Sequence, residues 1–311
     1  MANLACNVAG IEFPSVVFNA VGPKNTNLDE LRAIARSASG AVMMKSATIL
    51  PRDGNPEPRY AHTSMGSVST SGLPNLGYRE YVGIATQLKK EFPGKPVGAS
   101  VAGLTHGDFP VLVQAFQDSD VDFIEINTHS CPKAGGKQLA HDPAQMDAML
   151  QSVIGLGDKP IGLKLPPYFD ADDMKAMADV FLRYRIAYLA CIGNIPNALA
   201  IDAETETALI RPKGGIGTLG GDYAKPIALA NVHGFSKLLG NKIAIVGVGG
   251  IKTGADAFEF LLAGADAVQI GTAFYEQGPG VFERVQHELS ELLDRKGYKS
   301  AADAKGKMKT L

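Results

Sequence analysis

Several short apolar runs in this chain end in residues that could do chemistry. Asn19, Lys45, Asn127, Lys164 and the pair Gly193-Asn194 each close such a run, and two more close in Gly249-Gly250 and Gly271-Thr272. A lysine in apolar surroundings is costly unless something uses its charge. One use is to stabilise an anion that develops at the pyrimidine end of a reducible isoalloxazine ring. Another is a Schiff base, which needs a desolvated amine. The glycine sites let backbone N–H groups approach an anion, and a helix N-terminus behind them adds a favourable dipole. That suits a phosphate, whether carried by a flavin or by a phosphorylated sugar. Beyond Asn127 the chain reads Thr128-His129-Ser130-Cys131-Pro132. A thiol at that place can act as a general base on a C–H beside a carbonyl, although a buried thiol is more often an inert packing group. His129 alone is as readily a loop residue bonded to backbone or water. Cys6 and Cys191 have no supporting motif and read as structural.

The elements that must hold these residues follow from periodicity. Strands are predicted at 16–19, 41–45, 97–102, 123–127, 161–165, 188–192, 243–247 and 267–271, all short, rich in β-branched residues and mostly without alternation. Such runs belong to strands covered on both faces. Helices are predicted between them at 28–37, 78–91, 109–119, 143–156, 172–184, 226–239, 254–263 and 279–296, the first capped by Asn27. Alternation of this kind predicts an α/β fold, a (β/α)8 TIM barrel, with a doubly wound sheet of unusual size as the other solution. One domain spanning residues 1–311 is expected, with long insertions after strands 2 and 6, at 48–78 and 195–223. Loops of that length are functional or carry small structures of their own. A hairpin about Ala9-Gly10 could plug the barrel bottom. In such a barrel the C-terminal strand ends form the active site, which is where the polar residues above fall.

Composition removes other function classes. Among 311 residues, 30 Lys+Arg against 32 Asp+Glu leave a net charge of -2, without the basic face that nucleic acid demands. With 45% hydrophobic residues the chain is not disordered, and no apolar run is long enough to span a membrane. The N-terminus lacks a basic segment followed by an apolar one, and three widely spaced cysteines form neither a disulfide framework nor a metal knuckle. A cytoplasmic setting is expected and no metal. The 35 glycines exceed the usual ~7% and call for a physical reason.

The motifs resemble a family. Arg52-Asp53-Gly54-Asn55-Pro56-Glu57-Pro58-Arg59-Tyr60, Ser71-Gly72-Leu73-Pro74-Asn75-Leu76-Gly77, Lys164-Leu165-Pro166-Pro167-Tyr168-Phe169-Asp170, Gly220-Gly221 and Ala228-Leu229-Ala230-Asn231-Val232, with the two glycine sites, are similar to class 1A dihydroorotate dehydrogenases. These are the soluble, flavin mononucleotide (FMN) containing, fumarate-linked type. The resemblance runs from about Ile11 to Lys309. It implies a small anionic, dihydroorotate-like substrate, a homodimer, and ping-pong oxidation in which a base removes the C5 proton while C6 gives hydride to flavin N5. Fumarate then reoxidises the flavin.

By position, Ala20, Gly22, Lys45, Lys164 and Gly221 are expected at the flavin, and Gly249, Gly250, Gly271 and Thr272 at its phosphate. Gly220 and Gly247 fall in the same motifs. Lys45 also meets the substrate, with Ser69, Gly72, Leu73, Asn75, Asn127, Lys133 and Asn194 at or beside substrate positions. Three carboxamides of the family pattern are replaced, by Ser69, Lys133 and Gly193. An extra residue separates Asn127 from Ser130-Cys131-Pro132, so the base is Cys131 if that tripeptide is kept in register, or Ser130 in an ungapped alignment. Other readings of the altered pocket are an FMN oxidoreductase for a different anionic carbonyl or enoate, and a flavin-binding protein without turnover.

Overall fold

The computed structural model describes residues 1–129 and 138–311. Eight parallel strands form one sheet: Val17–Asn19, Val42–Ala47, Val97–Val101, Phe123–Asn127, Ile161–Leu165, Tyr188–Cys191, Ala244–Val248 and Ala267–Ile270. Below they are barrel strands 1 to 8. From strand 2 to strand 8 each hydrogen-bonds the next in sequence, and strand 8 pairs with strand 1. The seam between strands 1 and 2 is closed by a side chain. Asn19 donates from Nδ2 to the Met43 carbonyl and accepts from the Met43 N–H, both at 2.8 Å. Its carboxamide thus stands in for a peptide group where the ladder lapses, so Asn19 is spent on the barrel wall and is fully buried. The (β/α)8 expectation holds.

Helices Leu28–Arg36, Tyr78–Glu91, Asp108–Gln117, Pro143–Val153, Ala171–Phe181, Lys225–Leu239, Gly254–Ala263 and Gly280–Lys296 surround the sheet. Asn27 caps the first, in a capping box with Glu30. Helix Thr272–Gln277, which the periodicity does not reveal, directly follows strand 8. Among the described residues no helix is long and apolar enough to cross a membrane.

The N-terminal hairpin pairs Cys6–Val8 with Ile11–Phe13 through a turn at Ala9-Gly10, both at positive φ. Its Phe13 stacks on Phe18 with ring centroids 5.3 Å apart and meets the edge of Phe123 at 5.6 Å, which plugs the barrel floor with aromatic surface. Part of the glycine surplus lies inside this barrel. A β-carbon on Gly162 would sit 2.3 Å from the Tyr188 ring, so the large ring fits only because its neighbour on strand 5 has no side chain.

The two insertions build one structure between them. Tyr60–Thr63 and Gly66–Ser69 from the first join Ile195–Ala198 and Gly217–Gly220 from the second in a four-stranded antiparallel sheet. Its central register pairs Leu219 with Val68 and Gly220 with Ser67. Gly66 tolerates no side chain there, since a β-carbon would lie 2.1 Å from the Gly220 carbonyl oxygen.

Candidate active site

A cavity of about 1300 Å³ opens at the C-terminal ends of the barrel strands, roofed by the insertion sheet. Strand register sets its floor. Asn127 is the parallel partner of Lys164, and Glu125 that of Ser100 one layer deeper. Lys164 is buried, and its Nζ donates to Gln269 Oε1 at 2.8 Å. Gln269 Nε2 in turn donates to Glu125 Oε2 at 2.9 Å, and the Tyr188 hydroxyl donates to the same oxygen at 3.1 Å. Burial pushes the Lys164 ammonium down, and the nearby Glu125 charge opposes that shift. Among the described residues, Glu125 Oε1 is buried without a hydrogen-bond partner. A buried carboxylate therefore sits beneath a buried cation that turns to the cavity, which suits a partly anionic ring above them.

Lys45, inside strand 2 and two residues short of its end, donates to the Gly22 carbonyl. Its ammonium is lowered to about 8, mainly by burial, with a pull upward from Glu30 and a push downward from Arg59. Asn127 Nδ2 donates to Ser46 Oγ at 3.1 Å, and Ser46 meets Ser100 at 2.8 Å. Thr128 is buried and its hydroxyl donates to the Lys164 carbonyl at 2.7 Å, which ties the ends of strands 4 and 5 together. Across the cavity Asn194 Nδ2 donates to Thr218 Oγ1 at 3.1 Å.

At the far end the wall is bare backbone. Gly249 and Gly250 have φ of +136° and +69°. A β-carbon on Gly250 would lie 2.7 Å from Lys225 Cβ and 2.9 Å from the Gly221 carbonyl oxygen. The loop is held from behind: Asp256 Oδ2 accepts from the N–H groups of Lys252 and Thr253 at 2.9 and 2.8 Å, and Lys252 pairs with Asp222 at 2.7 Å. Gly271 and Thr272 complete this end. The helix they open, Thr272–Gln277, has only 6 residues. Its contribution is local N–H donors and little of the macrodipole that a long helix would bring.

The cavity thus gathers Ala20, Gly22, Lys45, Ser69, Gly72, Leu73, Asn127, Lys164, Asn194, Gly221, Gly249, Gly250, Gly271 and Thr272. Asn75 is not among its walls. That side chain is buried, donates to Thr48 Oγ1 and the Leu73 carbonyl, and accepts from Gly77 N–H at 2.8 Å, so it organises the loop that presents Gly72 and Leu73. Gly247 also turns elsewhere: its missing side chain makes room for the Phe260 ring, 2.4 Å from a β-carbon there. Ser130, Cys131 and Lys133 lie outside the described residues. Glu125 and Gln269 escape the reading of strand ends. Their signal is a charged and an amide side chain inside the apolar runs Phe-Ile-Glu-Ile-Asn and Ala-Val-Gln-Ile-Gly.

Comparison with known proteins agrees with this geometry. The family model described as dihydroorotate dehydrogenase matches residues 3–293. A Kluyveromyces lactis protein named dihydroorotate dehydrogenase (fumarate) is 43% identical over 311 residues, covering 99% of each chain. A protein of Streptococcus equi subsp. equi, provisionally named dihydroorotate dehydrogenase A (fumarate), is 42% identical over 310 residues, again covering 99% of each. The crystal structure of DHODH from Eimeria tenella in complex with ferulenol superposes with a TM-score of 0.84 at 20% identity, covering 98% of this chain and 88% of that one, which speaks to the fold. By its sequence and its architecture together, the chain belongs to the dihydroorotate dehydrogenase family, in its class 1A branch, and is an oxidoreductase.

Proposed function

We propose that this chain oxidises dihydroorotate to orotate on bound FMN and passes the electrons to fumarate. The observation that carries the reading is the pairing of a buried, cavity-facing Lys164 with a side-chain-free glycine wall at the opposite end of one cavity. The residues fit the group. The Gly221, Gly249 and Gly250 backbone offers the close approach that a phosphate needs, and Lys164 offers a cation where a reduced pyrimidine ring gathers negative charge.

Held by Lys164 and the Gly221, Gly249 and Gly250 backbone, FMN would supply the hydride chemistry: it would accept two electrons with the hydride of C6 and give two electrons up to fumarate, which with two protons becomes succinate. The chain's own residues do the rest. Lys45 supplies a positive charge for the substrate carboxylate, held in place by the Gly22 carbonyl. Asn127, braced by Ser46, presents an amide edge that can pair with the substrate ring. Gly72 and Leu73 come to the same space on a loop that Asn75 stiffens. The C5 proton is assigned to Cys131 or Ser130 in the loop after strand 4. A thiol is the better base of the two near neutral pH, because its own pKa lies far closer.

Whole-length likeness to proteins named for this reaction supports it over a different enoate or a flavin protein without turnover. A homodimer is part of the proposal. The second insertion exposes Leu199, Ile201 and Ile216, with Ile201 61% exposed, and a second copy would cover them. The free thiols Cys6 and Cys191 suit a reducing cytoplasm.

The test is a turnover assay on the FMN-loaded protein with dihydroorotate and fumarate, following orotate and succinate by chromatography. Equal amounts of both products are expected. Orotate without succinate would refute fumarate as acceptor, and neither product would refute the proposed reaction.

A further inference from the structure

His129 stands after strand 4, in the stretch that against the family pattern has an extra residue between Asn127 and Ser130-Cys131-Pro132 if that tripeptide is kept in register, and its surroundings are specific. Thr128 before it is fixed to the end of strand 5 through the Lys164 carbonyl. The His129 ring lines the cavity beside Asn127, Lys164 and Asn194. A β-carbon on Gly193 would lie 3.0 Å from both Cγ and Cδ2 of that ring. Real side chains rarely come so close, so the ring occupies the space that any side chain at position 193 would take. Among the described residues its Nδ1 is buried without a hydrogen-bond partner, so Nε2 is the ring nitrogen with surface open to a ligand.

We infer that His129 and Gly193 form a compensated pair, in which His129 reads the amide edge of the substrate ring in place of a carboxamide from the end of strand 6. The inference rests on the proposed dihydroorotate chemistry and names the residue that supplies its specificity. Burial, with the charges of Lys164 and His141, pushes the imidazole down to about 4, so the ring is neutral at working pH. A neutral imidazole has one donor nitrogen and one acceptor nitrogen. The two nitrogens diverge, so Nε2 alone meets the substrate ring, as donor or acceptor by tautomer, and a single hydrogen bond from the imidazole stands where a carboxamide would pair with N–H and C=O together. The exchange moves the polar group from strand 6 to strand 4 and leaves Gly193 bare to admit it.

Three FMN-loaded variants test this: His129→Phe, Gly193→Asn, and the two changes His129→Ala and Gly193→Asn together. Orotate affinity is read from the change in flavin absorbance on titration, with the KM for dihydroorotate and kcat measured in parallel. His129→Phe keeps a ring against Gly193 and removes both nitrogens. Orotate affinity and KM are expected to worsen by about tenfold or more, FMN staying bound and kcat changing less. Gly193→Asn alone is expected to weaken orotate through collision with the ring. The combined variant is expected to recover affinity beyond either Gly193→Asn or His129→Phe. A His129→Phe variant that binds orotate like the parent overturns the inference, as does a combined variant no better than Gly193→Asn. If the parent protein itself neither binds orotate nor oxidises dihydroorotate, the underlying reaction fails and the assigned ligand fails with it.

Discussion

At the scale of single residues, the site works by making ordinary groups expensive to hide. Lys164 and Lys45 are both depressed from the usual lysine value, chiefly by burial, yet they differ in use. Lys164 is locked to Gln269 inside the barrel, so its charge faces one fixed region of the cavity. Among the described residues Lys45 donates to the Gly22 carbonyl, and it stands at about 8, within reach of experiment. Below that pH the free protein carries an ammonium at this position; above it the amine is neutral. Anion binding therefore weakens as pH rises through about 8, approaching tenfold per unit once the amine is deprotonated. Titrating orotate against flavin absorbance from pH 6.5 to 9.5, a window set around that value, reads binding apart from the chemical step. In Lys45→Met the slope is expected to vanish and the affinity to be low throughout. A slope that persists unchanged would place the titrating group elsewhere.

At the scale of elements, carboxamides replace backbone where the chain leaves gaps. Asn19 completes the ladder between strands 1 and 2, and Asn231 does the same for Tyr168, accepting from its N–H at 2.8 Å and donating to its carbonyl at 2.9 Å. Asn19→Ala leaves the buried Met43 N–H without its partner, at a cost of about 2–3 kcal/mol. The expected result is a lower urea midpoint with unchanged slope; a midpoint equal to the parent's would show that the seam closes without this side chain. The same residues mark the limit of what sequence discloses. Strands at 123–127 and 161–165 and helices at 78–91 and 254–263 are legible to the residue, because continuous apolar runs and helical periods dictate them. Asn19 and Asn127 are alike in sequence, both amides at a strand end, yet one closes the wall and the other faces the cavity. The insertion sheet is illegible for another reason. Its strands contain Pro196, Gly66 and Gly220, show no clean alternation, and pair across more than a hundred residues, for instance Gly220 with Ser67.

At the scale of the whole molecule, the barrel supplies rigid positions and the insertions supply the roof. The glycine surplus divides along that line. Gly162 serves barrel packing, Gly66 serves contact between the insertions, and Gly249 and Gly250 serve the cavity wall. Gly193 belongs to a fourth group, where the absent side chain makes room for His129. Because Lys164 and Asn127 sit on neighbouring strands of one sheet and Gly249-Gly250 directly follows another, the site needs no large rearrangement to bring them together. If this preformed cavity holds a flavin that dihydroorotate reduces, rapid anaerobic mixing of the yellow, FMN-loaded protein with dihydroorotate will show it. Flavin absorbance is expected to bleach within seconds in the parent and to return when fumarate is added, while Lys164→Ala slows bleaching about 100-fold or more. Flavin that stays oxidised in the parent, with FMN fully bound, would contradict it.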